Sequence, residues 1–396
     1  MNKKVLIVNK FYYNRGGAEV VAIAMCQALR EMGYVVAVFT MDYNENFSDE
    51  KCYLAPHVTF QDVFAEKVKF ASRTLGGGGI KKAFYKALKD FNPDIVHFHN
   101  IHSYISPIVV KMAKEYGCRV VWTLHDYKLL CPSYACLRDN KPCELCFNDK
   151  IHVIKKRCMK GSFIASILAY AEAKKWNKDW IQRYVDAFVC PSRFIARKME
   201  QGGFDKAKLH VICNFVDPVK YKILKEVKQH NREEAYVYVG RLSQEKGVKT
   251  LLDVASRLPY RLYVAGDGPL ADELKQKYEN CSQICFLGRQ NALQVSELLA
   301  KVWFAVAPSE CYENNPLSVI ESLCAGTPVI GANIGGIPEL INEQWGYVYE
   351  SGNSKQLAIV VTKAFERVWD NEEIAQTALC RFSSEHHISL LEKLYQ

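Results

Sequence analysis

Two glutamates, Glu313 and Glu321, stand eight positions apart in the second half of the 396-residue chain. Ionised carboxylates accept hydrogen bonds and donate none, so this pair suits the vicinal hydroxyls of a ribose or of a sugar ring. Two solvated surface carboxylates are the plain alternative for glutamates taken without context. The segment between them therefore has to be examined for elements that would bring both to one site.

A helix start lies between the two glutamates. Asn315 and Pro316 favour a helix that begins at Pro316, because asparagine caps helix N-termini and proline needs no hydrogen-bond partner in the first turn. The N–H groups of Leu317 and Ser318 would then point outward at the positive end of the helix dipole. This arrangement predicts a binding site for an anion such as a pyrophosphate.

Two cations, Arg241 and Lys246, follow the predicted strand Ala235–Val239 in a loop that opens the predicted helix Val248–Leu258. A forked guanidinium and a compact ammonium together suit two phosphate groups. Exposed loop cations without a ligand are the alternative.

Near the start of the chain, Gly16 and Gly17 form a turn between the predicted strand Lys3–Lys10 and the predicted helix Ala18–Met32. In open parallel sheets such a turn is where backbone N–H groups meet anions. The spacing of the full dinucleotide fingerprint is missing, and a tight turn without a ligand is the alternative.

Histidines follow two of the predicted strands. His125 lies just beyond the predicted strand Val120–Leu124, at the edge where the crevice of a parallel sheet is found. His97, His99 and His102 are grouped around the end of the strand Ile95–Phe98, but no carboxylate or cysteine stands beside them, which argues against a metal site.

Five cysteines are crowded into one segment: Cys131, Cys136, Cys143, Cys146 and Cys158. Cys143 and Cys146 have the two-residue gap of a zinc knuckle, and Cys131 and Cys158 flank them at equal distance. A structural zinc held by Cys131, Cys143, Cys146 and Cys158 is one interpretation. Free buried thiols are the other, and no neighbouring base suggests catalysis by these cysteines.

Length and composition indicate an intracellular protein of two domains. The apolar block Val5–Val8 near the start is too short for a signal peptide, and no apolar run approaches the roughly 18 residues of a membrane span. The thiols are therefore expected to be reduced. Residues 1–215 carry 33 Lys and Arg against 20 Asp and Glu, whereas residues 216–396 carry 19 against 23. The basic half predicts an anionic partner, which charge alone leaves open between nucleic acid, lipid headgroups and phosphorylated substrates.

Two segments of the basic half, residues 63–91 and 150–184, interleave lysines with aromatic rings. Trp176, Trp180 and Tyr184 in the second segment have helical spacing on one face. An anionic membrane surface would use both ring area and positive charge. Solvated helices in the first segment and core packing in the second are the alternatives.

Strands and helices alternate along both halves, which predicts an α/β protein with two doubly wound parallel sheets. The segment from Glu313 to Glu321, with the continuation AGTPVIGANIGGIPELI, resembles the E-x7-E region of retaining GT-B glycosyltransferases of family 4. The pattern G-R-x4-K-G around Arg241 and Lys246 is a second match, and Gly16-Gly17 and His125 resemble further positions of that family.

The resemblance implies a GT-B fold of two Rossmann-like domains facing each other across a cleft. Residues 1–215 would form the acceptor-side domain, with a return of 376–396 to it, and residues 216–375 would bind the nucleotide sugar. The implied reaction is retaining transfer of a sugar from a nucleotide-diphosphate donor to a glycan or polyprenyl-linked acceptor in surface polysaccharide synthesis. Arg241 and Lys246 would bind the diphosphate, Glu321 the ribose, and Glu313 and His125 the sugar. The remaining expected donor contacts are Gly16, Gly17, Asn314, Leu317 and Ser318.

No metal or cofactor is expected for this reaction, because the two cations and the helix start would stabilise the leaving group's charge. The expected location is the cytoplasm, with the inner face of the cell membrane left open. A GT-B sugar-nucleotide epimerase is one alternative function. A zinc-containing nucleic-acid-binding protein is another, and the lack of aromatic-basic RNA motifs argues against it.

Overall fold

The computed structural model describes residues 3–48, 51–58, 64–226 and 232–396. Val63, at the start of the first basic and aromatic segment, and residues 227–231 lie outside the described residues. The strands of the described chain are β1 Lys4–Val8, β2 Val35–Met41, β3 Cys52–Ala55, β4 Ile95–Phe98, β5 Arg119–Thr123, β6 Leu137–Arg138, β7 Lys141–Pro142, β8 Ala187–Cys190, β9 Leu209–Val211, β10 Glu233–Val239, β11 Arg261–Ala265, β12 Ile284–Gly288, β13 Val302–Ala307, β14 Val329–Ala332 and β15 Gly346–Tyr349.

The α-helices of the described chain alternate with these strands. They are α1 Gly17–Glu31, α2 Phe64–Thr74, α3 Ile80–Phe91, α4 Ile108–Glu115, α5 Leu145–Asn148, α6 His152–Lys155, α7 Phe163–Lys175, α8 Lys178–Tyr184, α9 Arg193–Gln201, α10 Pro218–Glu226, α11 Val248–Ala255, α12 Ala271–Lys277, α13 Ala292–Lys301, α14 Leu317–Cys324, α15 Ser354–Glu366, α16 Asn371–Arg381 and α17 Ser384–Glu392.

The chain divides into two compact units. The first unit contains residues 1–136, 143–213 and 387–396, and the second contains residues 137–142 and 214–386. From the sequence we expected a boundary after residue 215 and a return of residues 376–396. The segment that returns to the first unit is shorter than that, because α16 and the first three residues of α17 belong to the second unit.

The first unit is built on a seven-stranded parallel sheet in the order β3-β2-β1-β4-β5-β8-β9. Its central strands β1 and β4 are unbroken apolar or buried runs, because a parallel sheet is covered by helices on both faces. All side chains from Val5 to Val8 are at most 1% exposed. The loops that follow the carboxyl ends of β1 and β5 carry Gly16 and His125.

The second unit is built on a six-stranded parallel sheet in the order β12-β11-β10-β13-β14-β15. The two-residue strands β6 and β7 form a separate antiparallel hairpin. β10 and β13 are neighbours at the centre of the large sheet, so their following loops meet at one edge. Those loops carry Arg241, Lys246 and Glu313.

The last residues of the chain pack inside the first unit. Tyr395 is 2% exposed, and its hydroxyl lies 2.7 Å from Nδ1 of His97 on β4. Lys3 donates a 2.9 Å hydrogen bond to the carbonyl of Tyr395, and Arg119 donates one of 3.0 Å to the carbonyl of Leu394. The chain end thus fills a position in the core of the first unit.

The helix predicted to carry Trp176, Trp180 and Tyr184 on one face is interrupted. α7 ends at Lys175, and Asn177 caps a new helix, α8, by accepting a hydrogen bond from the N–H of Trp180. The three rings still touch in sequence, with centroids 4.7 and 4.9 Å apart. Trp176 is buried and donates to the carbonyl of Thr74, so its ring serves packing. Among the described residues, the helices are all too short or too polar to pass through a lipid bilayer.

Candidate functional site

The loop after β13 fixes Glu313 through its side chain. Oε1 of Glu313 accepts a 2.8 Å hydrogen bond from the Ser309 hydroxyl and lies 2.5 Å from Nζ of Lys246. Burial alone would lower the pKa of Lys246, but the neighbouring Glu313 carboxylate outweighs it and raises the pKa above its ordinary value. Lys246 is therefore a cation at neutral pH, held at the carboxyl edge of the sheet.

Two glycines allow the loops around this ion pair to approach each other. Gly335 has φ +61°, and a Cβ there would lie 2.1 Å from the carbonyl oxygen of Glu313. The N–H of Gly336 donates a 2.7 Å bond to that same oxygen. Gly247, with φ +66°, would place a Cβ 1.9 Å from the carbonyl of Pro308. Because neither position has a side chain, the backbone of Gly335 lies directly against that of Glu313, and the backbone of Gly247 lies directly against that of Pro308.

The helix after this loop begins one residue later than predicted. α14 starts at Leu317, and Pro316 is its N-cap with extended backbone. Asn315 was expected to cap the helix, but its Oδ1 accepts the N–H of Asn214 and its carbonyl accepts the side-chain amide of Asn214, both at 2.9 Å. The first bonds inside the helix are donated by Val319 and Ile320 to Pro316. The N–H groups of Leu317 and Ser318 precede that ladder, as expected for the first turn of a helix.

Glu321 lies inside α14, is 8% exposed and pairs with Lys220 of α10, with Nζ 2.5 Å from Oε1. A mostly buried carboxylate needs such a partner, because an uncompensated charge away from water is costly. The sequence analysis did not single out Lys220, because it predicted no helix over residues 218–226. The apolar spacing of Val219, Ile223 and Leu224 was the available signal for a helix there.

Arg241 follows β10, and its side chain is exposed. Its backbone is fixed, because the hydroxyl of Tyr238 donates a 2.7 Å bond to its carbonyl. The backbone of Arg241 is therefore held in place, while its guanidinium is accessible to a ligand. Asn314, the other predicted donor contact in this unit, is part exposed in the loop beside Glu313.

The second unit brings Lys246 and Glu313 into direct contact, and its other predicted site residues follow β10 and β13, two neighbouring parallel strands that end at the same edge of the sheet. The shared features are two carboxylates that accept hydrogen bonds, two cations and a helix start. Such a set can hold a diphosphate by charge and hydroxyl groups by hydrogen bonds. It contains no base aimed at an obvious nucleophile.

In the first unit, α1 begins at Gly17, with Gly16 as an extended N-cap residue. A Cβ on Gly16 would lie 3.3 Å from Oε2 of Glu19 in the first turn. Glu19 is 5% exposed, and its burial raises the pKa of its carboxyl against the opposing charges of Lys10 and Arg15. The glycine turn thus lies beside a mostly buried carboxyl group, which the sequence analysis did not single out.

His125 follows β5 and lies beside a second histidine. Its Nε2 is 2.8 Å from Nδ1 of His99, and the two rings are nearly parallel at 17°. Burial lowers the pKa of His125 to about 3, and the nearby positive charges of Lys10 and His387 act in the same direction. His125 is therefore a neutral imidazole at physiological pH, able to hydrogen-bond a ligand but not to act as a cationic acid.

Three cysteines of the cysteine segment lie in contact with one another. Within the described ranges, no group of three or more His, Cys, Asp or Glu side chains is arranged to hold a metal ion. The thiol of Cys131 instead hydrogen-bonds those of Cys136 and Cys146, and these contacts lower its pKa. Cys136, which is not in the expected quartet of Cys131, Cys143, Cys146 and Cys158, thus lies against Cys131, and the zinc interpretation stays a prediction. No disulfide bond joins the cysteines of the described chain.

Family comparisons agree with the geometry. A model described as "Glycosyltransferase Family 4" matches residues 15–220, and one described as "Glycosyl transferases group 1" matches residues 220–378. The chain belongs to glycosyltransferase family 4. The prediction that it is a glycosyltransferase is thereby confirmed.

Two curated bacterial relatives of this glycosyltransferase match most of the chain. It is 27% identical over 355 residues to an uncharacterized 42.6 kDa protein in the cps region of Klebsiella pneumoniae, covering 85% of this chain and 87% of the relative. It is 25% identical over 396 residues to alpha-monoglucosyldiacylglycerol synthase of Streptococcus pneumoniae, covering 93% and 79%.

Solved structures show the fold of the glycosyltransferase. Anabaena HepE in complex with UDP and glucose superposes with a TM-score of 0.67 at 16% identity, covering 99% of both chains. The lipopolysaccharide outer core galactosyltransferase WaaB in its apo form superposes with a TM-score of 0.66 at 17% identity, covering 99% and 98%. The predicted GT-B fold of two Rossmann-like sheets is confirmed.

Proposed function

We propose that this glycosyltransferase moves a hexosyl group from a nucleotide-diphosphate sugar to a glycan or polyprenyl-linked acceptor in the synthesis of a surface polysaccharide. Two of the similar proteins support this class of substrate. A relative lies in the cps region of Klebsiella pneumoniae, and a protein of the same fold was solved with UDP and glucose.

The observation that carries the proposal is the ion pair of Lys246 with Glu313 at the edge that also holds Arg241 and Glu321. Both described bonds of Glu313 use Oε1, and the pair of Glu321 with Lys220 uses Oε1 as well. In the described part of the chain, each carboxylate therefore keeps its Oε2 available to a ligand hydroxyl. The sugar would take that place on Glu313, and the ribose would take it on Glu321.

The chemistry follows from where charge develops. When the bond between the sugar and the diphosphate breaks, the leaving nucleotide gains negative charge, and preorganised cations lower the energy of that state. Arg241, Lys246 and the N–H groups of Leu317 and Ser318 are the proposed donors to it. This arrangement calls for no metal ion or cofactor.

The family resemblance suggests retention at the anomeric carbon, with the donor phosphate accepting the proton of the attacking hydroxyl. We therefore propose no protein general base. His125 of the first unit would hydrogen-bond the transferred sugar, and the turn at Gly16 and Gly17 would leave room for the donor phosphates and the acceptor.

Thermal shift with a panel of UDP and GDP sugars tests the donor class, since a bound donor stabilises the protein by mass action. Transfer is then measured with the stabilising donor and a polyprenyl-linked glycan acceptor. Arg241→Ala and Glu321→Ala should each reduce the rate of transfer by about 10- to 100-fold, because each removes one or two charge-assisted hydrogen bonds to the donor.

Matched controls are Arg257→Ala and Glu297→Ala, which remove exposed charges elsewhere in the second unit. Full transfer activity in both Arg241→Ala and Glu321→Ala would contradict the proposed donor site. Release of free sugar and nucleotide at the same rate without acceptor would argue for a hydrolase or epimerase instead.

We further propose that the first unit contacts an anionic membrane through the start of α7. Several rings predicted for this role, Phe70, Phe84 and Trp176, are buried and cannot contribute. Phe163, Ile164 and Ile167 are instead 51%, 80% and 42% exposed. Exposed cations precede them in the chain: Lys155, Lys156, Arg157 and Lys160. Apolar area beside positive charge favours an anionic lipid surface.

Co-sedimentation with vesicles tests this surface. The protein should bind vesicles that contain phosphatidylglycerol better than neutral phosphatidylcholine vesicles, and Ile164→Glu should weaken that binding about tenfold. Val368→Glu is the control, because Val368 is 95% exposed but belongs to the second unit. Equal binding to both lipids, or equal loss in both variants, would contradict the proposed surface.

A further inference from the structure

Three histidines of the first unit form a continuous array. His97 and His99 lie on the same face of β4 and its extension, with parallel rings whose centroids are 4.8 Å apart. His99 in turn lies edge to edge with His125, with Nδ1 2.8 Å from Nε2. The array is anchored at its other end, where His97 contacts the hydroxyls of Tyr395 and Thr123, each at 2.7 Å.

His99 is the member of this array whose hydrogen bonds decide the proton positions. It is fully buried, and within the described chain its Nε2 has no hydrogen-bond partner. Its ring position is fixed by the stack on His97 and by the backbone, because Trp122 donates a 2.8 Å bond to the His99 carbonyl. The only partner described for the ring nitrogens of His99 is therefore His125.

A neutral imidazole has one N–H and one lone pair, so two arrangements are available for His99. If the proton were on Nε2, a buried N–H would have no acceptor, which is rare in proteins. If the proton is on Nδ1, it is donated to His125, and only a lone pair stays unmatched. The second arrangement is favoured. Burial supports it, since it lowers the pKa of both rings and keeps each of them neutral.

The tautomer of His125 follows from that of His99. Its Nε2 accepts the proton of His99 and cannot carry one of its own, so the proton of neutral His125 must be on Nδ1. His125 is part exposed, and Nδ1 is the nitrogen left for a ligand. We propose that His99 is a positioning residue that holds His125 as the Nδ1–H tautomer, so that His125 presents a hydrogen-bond donor to an oxygen of the transferred sugar.

This inference rests on the proposed function for the identity of the ligand, but the tautomer is a property of the first unit alone. It implies a specificity rule as well. A donor sugar whose oxygen at this place is replaced by hydrogen would lose the bond from Nδ1, whereas a sugar with a hydroxyl in either configuration could still accept one if it reached the nitrogen.

The test is long-range 15N–1H correlation NMR of the full-length protein labelled at histidine nitrogens, near pH 7.5. The His125 signals are identified by their disappearance in His125→Asn. We expect the Nδ1–H pattern for His125 in the wild-type protein. His99→Phe keeps a ring of similar volume without a donor, and His125 should then shift toward the Nε2–H tautomer. His99→Asn places an amide donor where Nδ1 stood and should restore the wild-type pattern.

A wild-type His125 with the Nε2–H or the doubly protonated pattern would overturn the proposal, and so would an unchanged pattern in His99→Phe. The wild-type spectrum alone decides which tautomer His125 adopts, even if His99→Phe fails to fold. In transfer assays, His99→Phe should lower kcat about tenfold with little change in the KM for the donor, and His99→Asn should recover most of it. If the tautomers behave as expected but no sugar is transferred, the proposed function fails and the positioning role stands.

Discussion

At the scale of single residues, the second unit pairs lysines with the two carboxylates that we propose to bind the donor. Glu313 and Glu321 each give one oxygen to a lysine, and the lysine pairs have different surroundings. Lys246 is 31% exposed and close to the loop that would receive phosphate, whereas Lys220 is 24% exposed and belongs to a helix. We infer that Lys246 partly shifts from Glu313 to the diphosphate when the donor binds. Lys220 stays paired with Glu321 in the free and the bound protein.

Replacing Lys220 by Met should therefore reduce both stability and donor binding. The change leaves Glu321 as a mostly buried carboxylate without its partner, which costs about 1–3 kcal/mol of unfolding free energy. Urea denaturation measures the stability loss, and thermal shift with the donor measures binding.

Lys222→Met is the matched control, since Lys222 is an exposed lysine of the same helix. The double variant Lys220→Met, Glu321→Gln should recover part of the lost stability, because the unpaired charge is then removed. Identical stability of Lys220→Met and Lys222→Met would show that the ion pair contributes nothing.

At the scale of secondary structure elements, each unit has an arginine that donates hydrogen bonds to several backbone carbonyls. Arg73 of α2 is fully buried and donates to the carbonyls of Tyr104, Pro56 and Gly78, at 3.0, 3.0 and 2.6 Å. In the second unit, Arg232 before β10 donates to the carbonyls of Leu299, Val302 and Ala325. A planar fork of donors can satisfy several loop carbonyls at once, which a lysine cannot do.

We expect Arg73→Met to destabilise the protein by about 2–4 kcal/mol, because it removes a fully buried guanidinium and leaves three carbonyls without its hydrogen bonds. Arg73→Lys should recover little, since one ammonium cannot reproduce the fork. Thermal and urea unfolding provide the measurement, with Arg183→Met, an exposed arginine of α8, as control. A loss below about 0.5 kcal/mol in Arg73→Met would contradict this role.

The elements themselves were largely predictable from local patterns. The strand Ile95–Phe98 has the predicted bounds, and the strands predicted over Val120–Leu124 and Ala235–Val239 differ from the observed ones by at most two residues at an end. Short apolar runs between turn signals define these strands. These signals are local, so a sequence carries them without knowledge of the fold.

Contacts between distant residues could not be predicted in the same way. Asn315 does not cap its helix because it bonds Asn214, which is 101 positions away. Lys220 pairs with Glu321 over the same separation. The orientation of His125 depends on His99, which stands on a different strand. In each case an ordinary polar residue gains its role from a partner that only the folded chain supplies.

At the scale of the whole molecule, the two units should respond differently to acid. Burial lowers the pKa of His97, His99 and His102 well below the ordinary value and that of His125 to about 3, and all four belong to the first unit. In the unfolded chain these histidines titrate near pH 6.5. The stability that they contribute is therefore complete above about pH 6.5 and is lost as the pH falls below it.

The first unit should lose stability between pH 7.5 and 5.5, by up to about 1.4 kcal/mol per pH unit below 6.5 for each histidine that stays neutral. Hydrogen exchange, corrected for the intrinsic pH dependence of the rates, measures this by element. Protection of β4 and β5 should fall while protection of β10 and β11 in the second unit is retained. An equal loss in both units would contradict the assignment to the buried histidines.

The chain end beside His97 has a consequence for the order of folding during synthesis. A nascent polypeptide leaves the ribosome from its first residue onward, so residues 3–213 emerge well before Tyr395 is made. Until residue 396 has been translated, the place of the Tyr395 ring in the first unit stays unoccupied and Nδ1 of His97 lacks its hydroxyl partner. The first unit, although it is synthesised first, can therefore reach its final packing only after the second unit has been made.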